Sequence, residues 1–185
     1  RGNGFIWICM PYLNNAGNRN VSQWWGNPDS YDPRPTVEYC QKTVRWICDT
    51  YGGDRSRVLL VGFSRGAIAC NYLGLYDDEI AGLWKAMVAY SHYDGVRRWG
   101  YPESDVMSAL IRLQRLGSTP QFICQEDYGR SGLNATREYL DRTAIAGNFT
   151  YQSTGFRNHN DAWVLRPSAA RDKLDRWVKK YLLDD

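Results

Sequence analysis

The sequence predicts an α/β protein, a three-layer sandwich in which helices cover both faces of a mostly parallel sheet. Three observations carry that reading. Short apolar runs alternate with amphipathic stretches along the chain. One such run, Val58-Leu59-Leu60-Val61, feeds directly into Gly62-Phe63-Ser64-Arg65-Gly66, a serine clasped between glycines. Finally, 185 residues, 43% hydrophobic and 23% charged, suit one domain spanning 1–185 with a substantial core. No repeat, linker or low-complexity run interrupts them.

The elements follow in order. Gly4 to Met10 is an apolar run ended by Pro11, suited to a strand buried on both faces. A polar loop rich in Asn, Gly and Pro continues to about Pro35. Val37, Cys40, Val44, Ile47 and Tyr51 then recur at helical spacing, and Gly52-Gly53 stop that helix. Arg57 to Phe63 reads as a strand and Arg65 to Leu75 as a helix of small residues. Lys85 to Ser91 is a strand, Ser104 to Leu116 a helix stopped by Gly117, and Gln121 to Cys124 a strand. Ala135 to Ala146 is a helix and Asn148 to Gln152 a strand. Ser168 to Leu183 closes the chain as an amphipathic helix with Ala170, Leu174, Trp177, Val178 and Tyr181 on one face. Strand and helix in turn imply parallel strands joined by right-handed crossovers. Such sheets hold their sites at the carboxyl ends of the strands, where Ser64 sits.

Composition excludes several classes. The net charge of +3 is scattered, with no basic block beyond pairs such as Arg97-Arg98 and Lys179-Lys180, so no nucleic-acid partner is expected. No apolar run approaches the roughly 20 residues of a membrane span. Cys9, Cys40, Cys48, Cys70 and Cys124 lie far apart without a Cys-x-x-Cys pair. With only two histidines besides, a zinc site is not expected. The five thiols read as small buried hydrophobes. Sequons at Asn20, Asn134 and Asn148 matter only if the source glycosylates secreted proteins. There is no signal peptide, and the chain starts at Arg1; this favours a trimmed product, secreted or periplasmic. Trp24 and Trp25, beside Gly26 and Pro28, read either as a substrate-binding surface or as rings tucked under a loop.

The serine turn carries the chemistry. Gly-x-Ser-x-Gly between strand and helix is a nucleophile elbow: the turn is sharp, so its neighbours must be nearly devoid of side chains. Gly62 and Gly66 provide that, while Ala67 and Ala69 let the next helix approach the sheet. The Arg65 amide, at the helix N-terminus, would be one oxyanion donor. A serine needs a general base. In the chain order serine, acid, histidine, His159 lies late enough to leave room for an acid, and His92 is left to line the cleft. The acid belongs after the strand ending at Cys124, where Asp127 is preferred over Glu126; Asp94 is the outsider.

The run Tyr51-Gly52-Gly53-Asp54-Arg55-Ser56-Arg57-Val58-Leu59-Leu60-Val61-Gly62-Phe63-Ser64-Arg65-Gly66, with the late His159, resembles the α/β-hydrolase superfamily on its esterase and polyester-depolymerase side. The resemblance implies a serine hydrolase that cleaves carboxylic esters through an acyl-enzyme, with Asp54 and Arg57 fixing the turn before the strand. It implies no cofactor and no metal, and a small-molecule or polymer-linked ester as substrate. In residue detail it covers only that run and the histidine. Arg65 stands where many relatives carry a small or apolar residue, although some glycan-directed esterases have Arg there. One departure concerns the second oxyanion donor, since the chain has no His-Gly-Gly-like loop and only Gly4 to Met10 precedes the first helix. The favoured account is a chain lacking its first strands; the other is a shortened fold in which the loop after Met10, at Tyr12, supplies the donor. A peptidase or thioesterase uses the same parts. From another class, a catalytically silent module could grip a glycan through Trp24-Trp25.

Overall fold

Four of the strand-like stretches form one parallel sheet. The computed structural model describes residues 4–24, 31–127 and 132–183. The chain divides into two compact units, residues 1–55 with 100–102, and residues 56–99 with 103–185.

The second unit holds the sheet. β3 (Leu59–Phe63), β4 (Ala86–Tyr90), β5 (Gln121–Gln125) and β6 (Phe149–Ser153) lie in that spatial order, every neighbouring pair parallel. Each crossover carries helix: α2 (Arg65–Tyr72) and the short α3 (Asp78–Ala81), then α4 (Val106–Gln114), then α5 (Gly132–Thr143). α6 (Ala169–Val178) follows β6. All five residues of β4 are buried, as a central strand covered on both faces requires. Side chains alternate between faces. Ala86, Val88 and Tyr90 join Phe122, Cys124, Trp163 and the α6 residues Ala170 and Trp177 in one core cluster. Burying a ring such as Phe122, wholly enclosed, contributes about 1.5–3 kcal/mol. Met87 and Gln121 point to the other face, where Gln121 Nε2 donates to Asn71 Oδ1 of α2 at 2.8 Å. Caps fix the helix starts: Asp105 accepts from the Ser108 amide, and Ser168 from the Arg171 amide.

The first unit is built differently. Tyr12–Leu13 (β1) and Asn20–Val21 (β2) make a two-residue antiparallel ribbon. α1 (Arg34–Tyr51) buries Val37, Gln41, Val44 and Cys48 along one stripe. It ends where expected, because Gly52 takes a left-handed conformation, φ 72°, that returns its amide to the Cys48 carbonyl.

Several expectations are corrected. Gly4–Met10 forms no strand: Phe5, Ile6 and Trp7 are exposed, and β3 is an edge of the four-stranded sheet. An apolar run becomes a buried strand only where ladder partners take up its amides and carbonyls, and this one has none among the described residues. The last helix is regular only to Val178 and continues as a wider turn at Lys179–Leu183. The ribbon and α3 had no periodic signal, being two to four residues long. Cys9 is exposed and Cys40 half-buried, so the thiols are not uniformly core residues.

Candidate functional site

Ser64 lies at the carboxyl end of β3, between the strand and α2. Its amide donates to the Tyr90 carbonyl at 2.9 Å, extending the ladder by one residue. Its backbone then turns sharply, with φ 56° and ψ −119°, a conformation L-residues avoid. The glycines explain how the turn fits. A Cβ on Gly62 would collide with the Gly66 carbonyl and sit 2.7 Å from Cys70 Sγ. Ala67 and Ile68 of α2 are fully buried, and their amides reach back to the Ser64 carbonyl at 3.0 and 3.4 Å. The Arg65 amide opens α2, at the end where the helix dipole favours negative charge.

The loop after β6 brings His159 to this serine, with His159 Nε2 2.9 Å from Ser64 Oγ. Glu126, the first residue after β5, reaches the other ring nitrogen, with Oε1 2.6 Å from Nδ1. The tautomer that satisfies both partners has its proton on Nδ1, donated to Glu126, while the Ser64 hydroxyl donates to Nε2. The neighbouring loops are tied together. The Asp127 amide donates to the Phe156 carbonyl at 2.8 Å, and the Tyr90 hydroxyl to the Asn160 carbonyl at 2.7 Å. Burial pushes the Tyr90 phenol pKa upward and keeps it a donor. The His159 ring has two aromatic neighbours, Phe63 with centroids 4.8 Å apart and the planes tilted by 35°, and His92 at 5.6 Å and 29°.

The other sequence candidates fall elsewhere. Asp127, preferred over Glu126 on sequence order, hydrogen-bonds Ser153 Oγ. Successive residues leaving a strand point apart, and only Glu126 faces the imidazole. Asp94 is bound to Arg112 inside the core, Oδ2 to Nε 2.9 Å. His92 is half-buried and also packs against Trp99, centroids 5.1 Å apart with the rings tilted by 55°, while Arg97 sits over the Trp99 ring at 3.7 Å. Burial, then the His159 and Arg97 charges, hold the His92 pKa below its ordinary value. Tyr12 belongs to the first unit, opposite Val21 in the ribbon. Trp24 is wholly buried against Tyr31 and Tyr101, so it presents no face to a ligand; Trp25 lies outside the described residues. Ser91 and Phe63 are further neighbours of His159, beyond the residues expected from the sequence. Their position at the carboxyl ends of β4 and β3 was the available signal.

Rival chemistry is sparse. Burial drives the Cys70 thiol up to about 12 and Cys124 upward too, which leaves neither as a nucleophile. Among the described residues, no group of three or more His, Cys, Asp and Glu gathers to hold a metal ion. No described helix is long and apolar enough to cross a membrane.

No protein-family model and no curated protein matches this sequence. Solved structures do. An esterase of Pyrococcus furiosus superposes with a TM-score of 0.55 at 18% identity, over 80% of this chain and 62% of that one. A thermostable esterase gives 0.54 at 16% identity, over 84% of this chain and 38% of that one. The isopeptidase AtxE2 gives 0.60 at 16% identity, over 95% of this chain and 30% of that one. The chain thus spans less than two thirds of the length of these three structures. The parallel sheet β3–β6 with its covering helices, and its likeness to these hydrolase structures, make this an α/β-hydrolase fold.

Proposed function

We propose that the protein is a serine hydrolase of carboxylic esters, with Ser64 as nucleophile, His159 as general base and Glu126 orienting the ring. The observation that carries this reading is the unbroken path Ser64 Oγ, His159 Nε2, His159 Nδ1, Glu126 Oε1, with steps of 2.9 and 2.6 Å. A serine in a disfavoured backbone conformation beside an imidazole lacks a purely structural rationale.

In the reaction His159 takes the Ser64 proton on Nε2 as Oγ attacks the carbonyl carbon. The Arg65 amide, at the helix N-terminus, donates to the developing oxyanion. Collapse of the tetrahedral adduct returns the Nε2 proton to the leaving alcohol and leaves Ser64 acylated; water then repeats the cycle. Glu126 holds the Nδ1 proton in place and stabilises the imidazolium, without itself being protonated.

A second reading, amide rather than ester cleavage, is favoured by the likeness to the AtxE2 isopeptidase over 95% of this chain. A matched ester and amide pair separates the two by kcat/KM. Hydrolase activity itself is tested with a fluorophosphonate probe. The wild-type protein is expected to label at Ser64, and Ser64→Ala and His159→Ala to lose labelling and turnover by roughly 10⁴-fold or more, with Tm unchanged. Full activity in a folded Ser64→Ala protein would overturn the reading. A silent glycan-binding module predicts no labelling at all, and with Trp24 buried it has lost one of its two proposed contacts.

A further inference from the structure

Ser91 follows β4 directly, and two features set it apart. Its φ of 87° lies in the left-handed region, which glycine occupies without cost and other residues rarely adopt. It is also 2% exposed, its amide pinned to the Cys124 carbonyl at 2.9 Å. The backbone therefore favours glycine here, and the only thing serine adds is a hydroxyl. That hydroxyl lies 3.1 Å from His159 Nδ1, the nitrogen that Glu126 also reaches.

Resting on the hydrolase reading, we infer that Ser91 is a positioning residue, the second acceptor of the His159 Nδ1 proton. The geometry gives the reason. Nδ1 carries one proton in the tautomer that accepts from Ser64. Glu126 takes the shorter share of that proton and Ser91 the longer, a three-centre bond. A single acceptor fixes a distance and leaves the ring free to swing about the Nδ1–Oε1 line. A second acceptor from a neighbouring strand removes that freedom. Phe63 and His92 meanwhile pack beside the ring, with centroids 4.8 and 5.6 Å away. As the Ser64 proton moves to Nε2, the ring becomes cationic and its Nδ1 proton more acidic. Both acceptors then strengthen their bonds in the transition state, with no proton leaving Ser91.

The test uses Ser91→Gly, which suits the left-handed backbone, beside Ser91→Ala. Both should lower kcat about tenfold with KM within about twofold, the loss of one hydrogen bond to a group that becomes charged. Proton NMR supplies the signature that a merely structural role would not move: the low-field Nδ1–H resonance of His159 should shift upfield and exchange faster with water. Ser91→Gly should keep or raise Tm, since its backbone is relieved. In a Glu126→Ala background, where Ser91 is the only acceptor left, losing the hydroxyl should cost more than in wild type. An unmoved Nδ1–H resonance, or unchanged kcat in folded Ser91→Gly, overturns the inference while wild-type labelling leaves the hydrolase reading standing. An unlabelled wild-type protein overturns both.

Discussion

Two acid–base pairs stand after neighbouring strands of the same sheet, and they differ in the partner each acid meets. Glu126 after β5 meets His159 at 2.6 Å; Asp94 after β4 meets Arg112 at 2.9 Å. Both carboxylates are closed off, with side chains 5% and 1% exposed, but the Arg112 side chain is 5% exposed and that of His159 51%. Arg112 is further occupied by the Glu103 carbonyl and by the Tyr72 ring beneath it. Such a pair can do nothing but hold α4 to the end of β4. A guanidinium also never gives up its proton at working pH, whereas an imidazole does so readily. The acids are alike; their partners' chemistry and exposure separate a strut from the proposed working site.

The comparison breaks most clearly at Glu126. Glu126→Gln keeps the shape but removes the carboxylate that holds the Nδ1 tautomer, so kcat should fall by roughly 10³–10⁴ while Tm holds. Asp127→Asn, one residue on and bonded to Ser153, should stay within about twofold of wild type in the same assay. The opposite pattern would make Asp127 the working acid.

Asp94→Ala should show the reverse profile. It leaves the Arg112 guanidinium buried beside an empty site, which destabilises by about 3–5 kcal/mol. Urea unfolding measures this, and kcat per folded molecule should be nearly unchanged. A stability loss below about 1 kcal/mol would mean the pair is not a strut.

The smallest effect sharpens the contrast through pH. Burial, with the His159 and Arg97 charges, lowers the His92 pKa from its ordinary 6.5. The unfolded chain then takes up this proton more readily than the folded protein does. The associated stability is present above pH 6.5 and is lost as pH falls through the folded value. Tm of wild type should therefore decline below that pH more steeply than Tm of His92→Gln. Parallel curves would remove His92 as the source.

How much of this was legible depended on periodicity and chain order. β3 to β5 and the helices between the strands are legible because buried strands are short apolar runs and covering helices repeat at helical spacing. Ser64 was legible because an elbow demands Gly62, and His159 because only two histidines exist. For the acid, chain order narrows the choice to two adjacent residues and prefers Asp127, whereas Glu126 is the one that meets His159, since the direction of each side chain depends on how the chain leaves β5. Gly4–Met10 misled for the converse reason, because its composition suits a strand but strand pairing is not written in composition.

By itself the sequence determined the alternation of elements, the tight turn at Ser64 and the residues available for chemistry. These are local properties, set by sterics, apolar spacing and glycine placement within a few residues. Only the tertiary structure decided that Glu126 meets His159, that Asp94 is locked to Arg112, that Trp24 is buried, and that Ser91 joins the ring. The outcomes at Glu126, Asp94 and Ser91 depend on parallel strands distant in sequence ending side by side, which fixes the direction of each side chain there, and that at Trp24 on Tyr31 and Tyr101 packing against its ring.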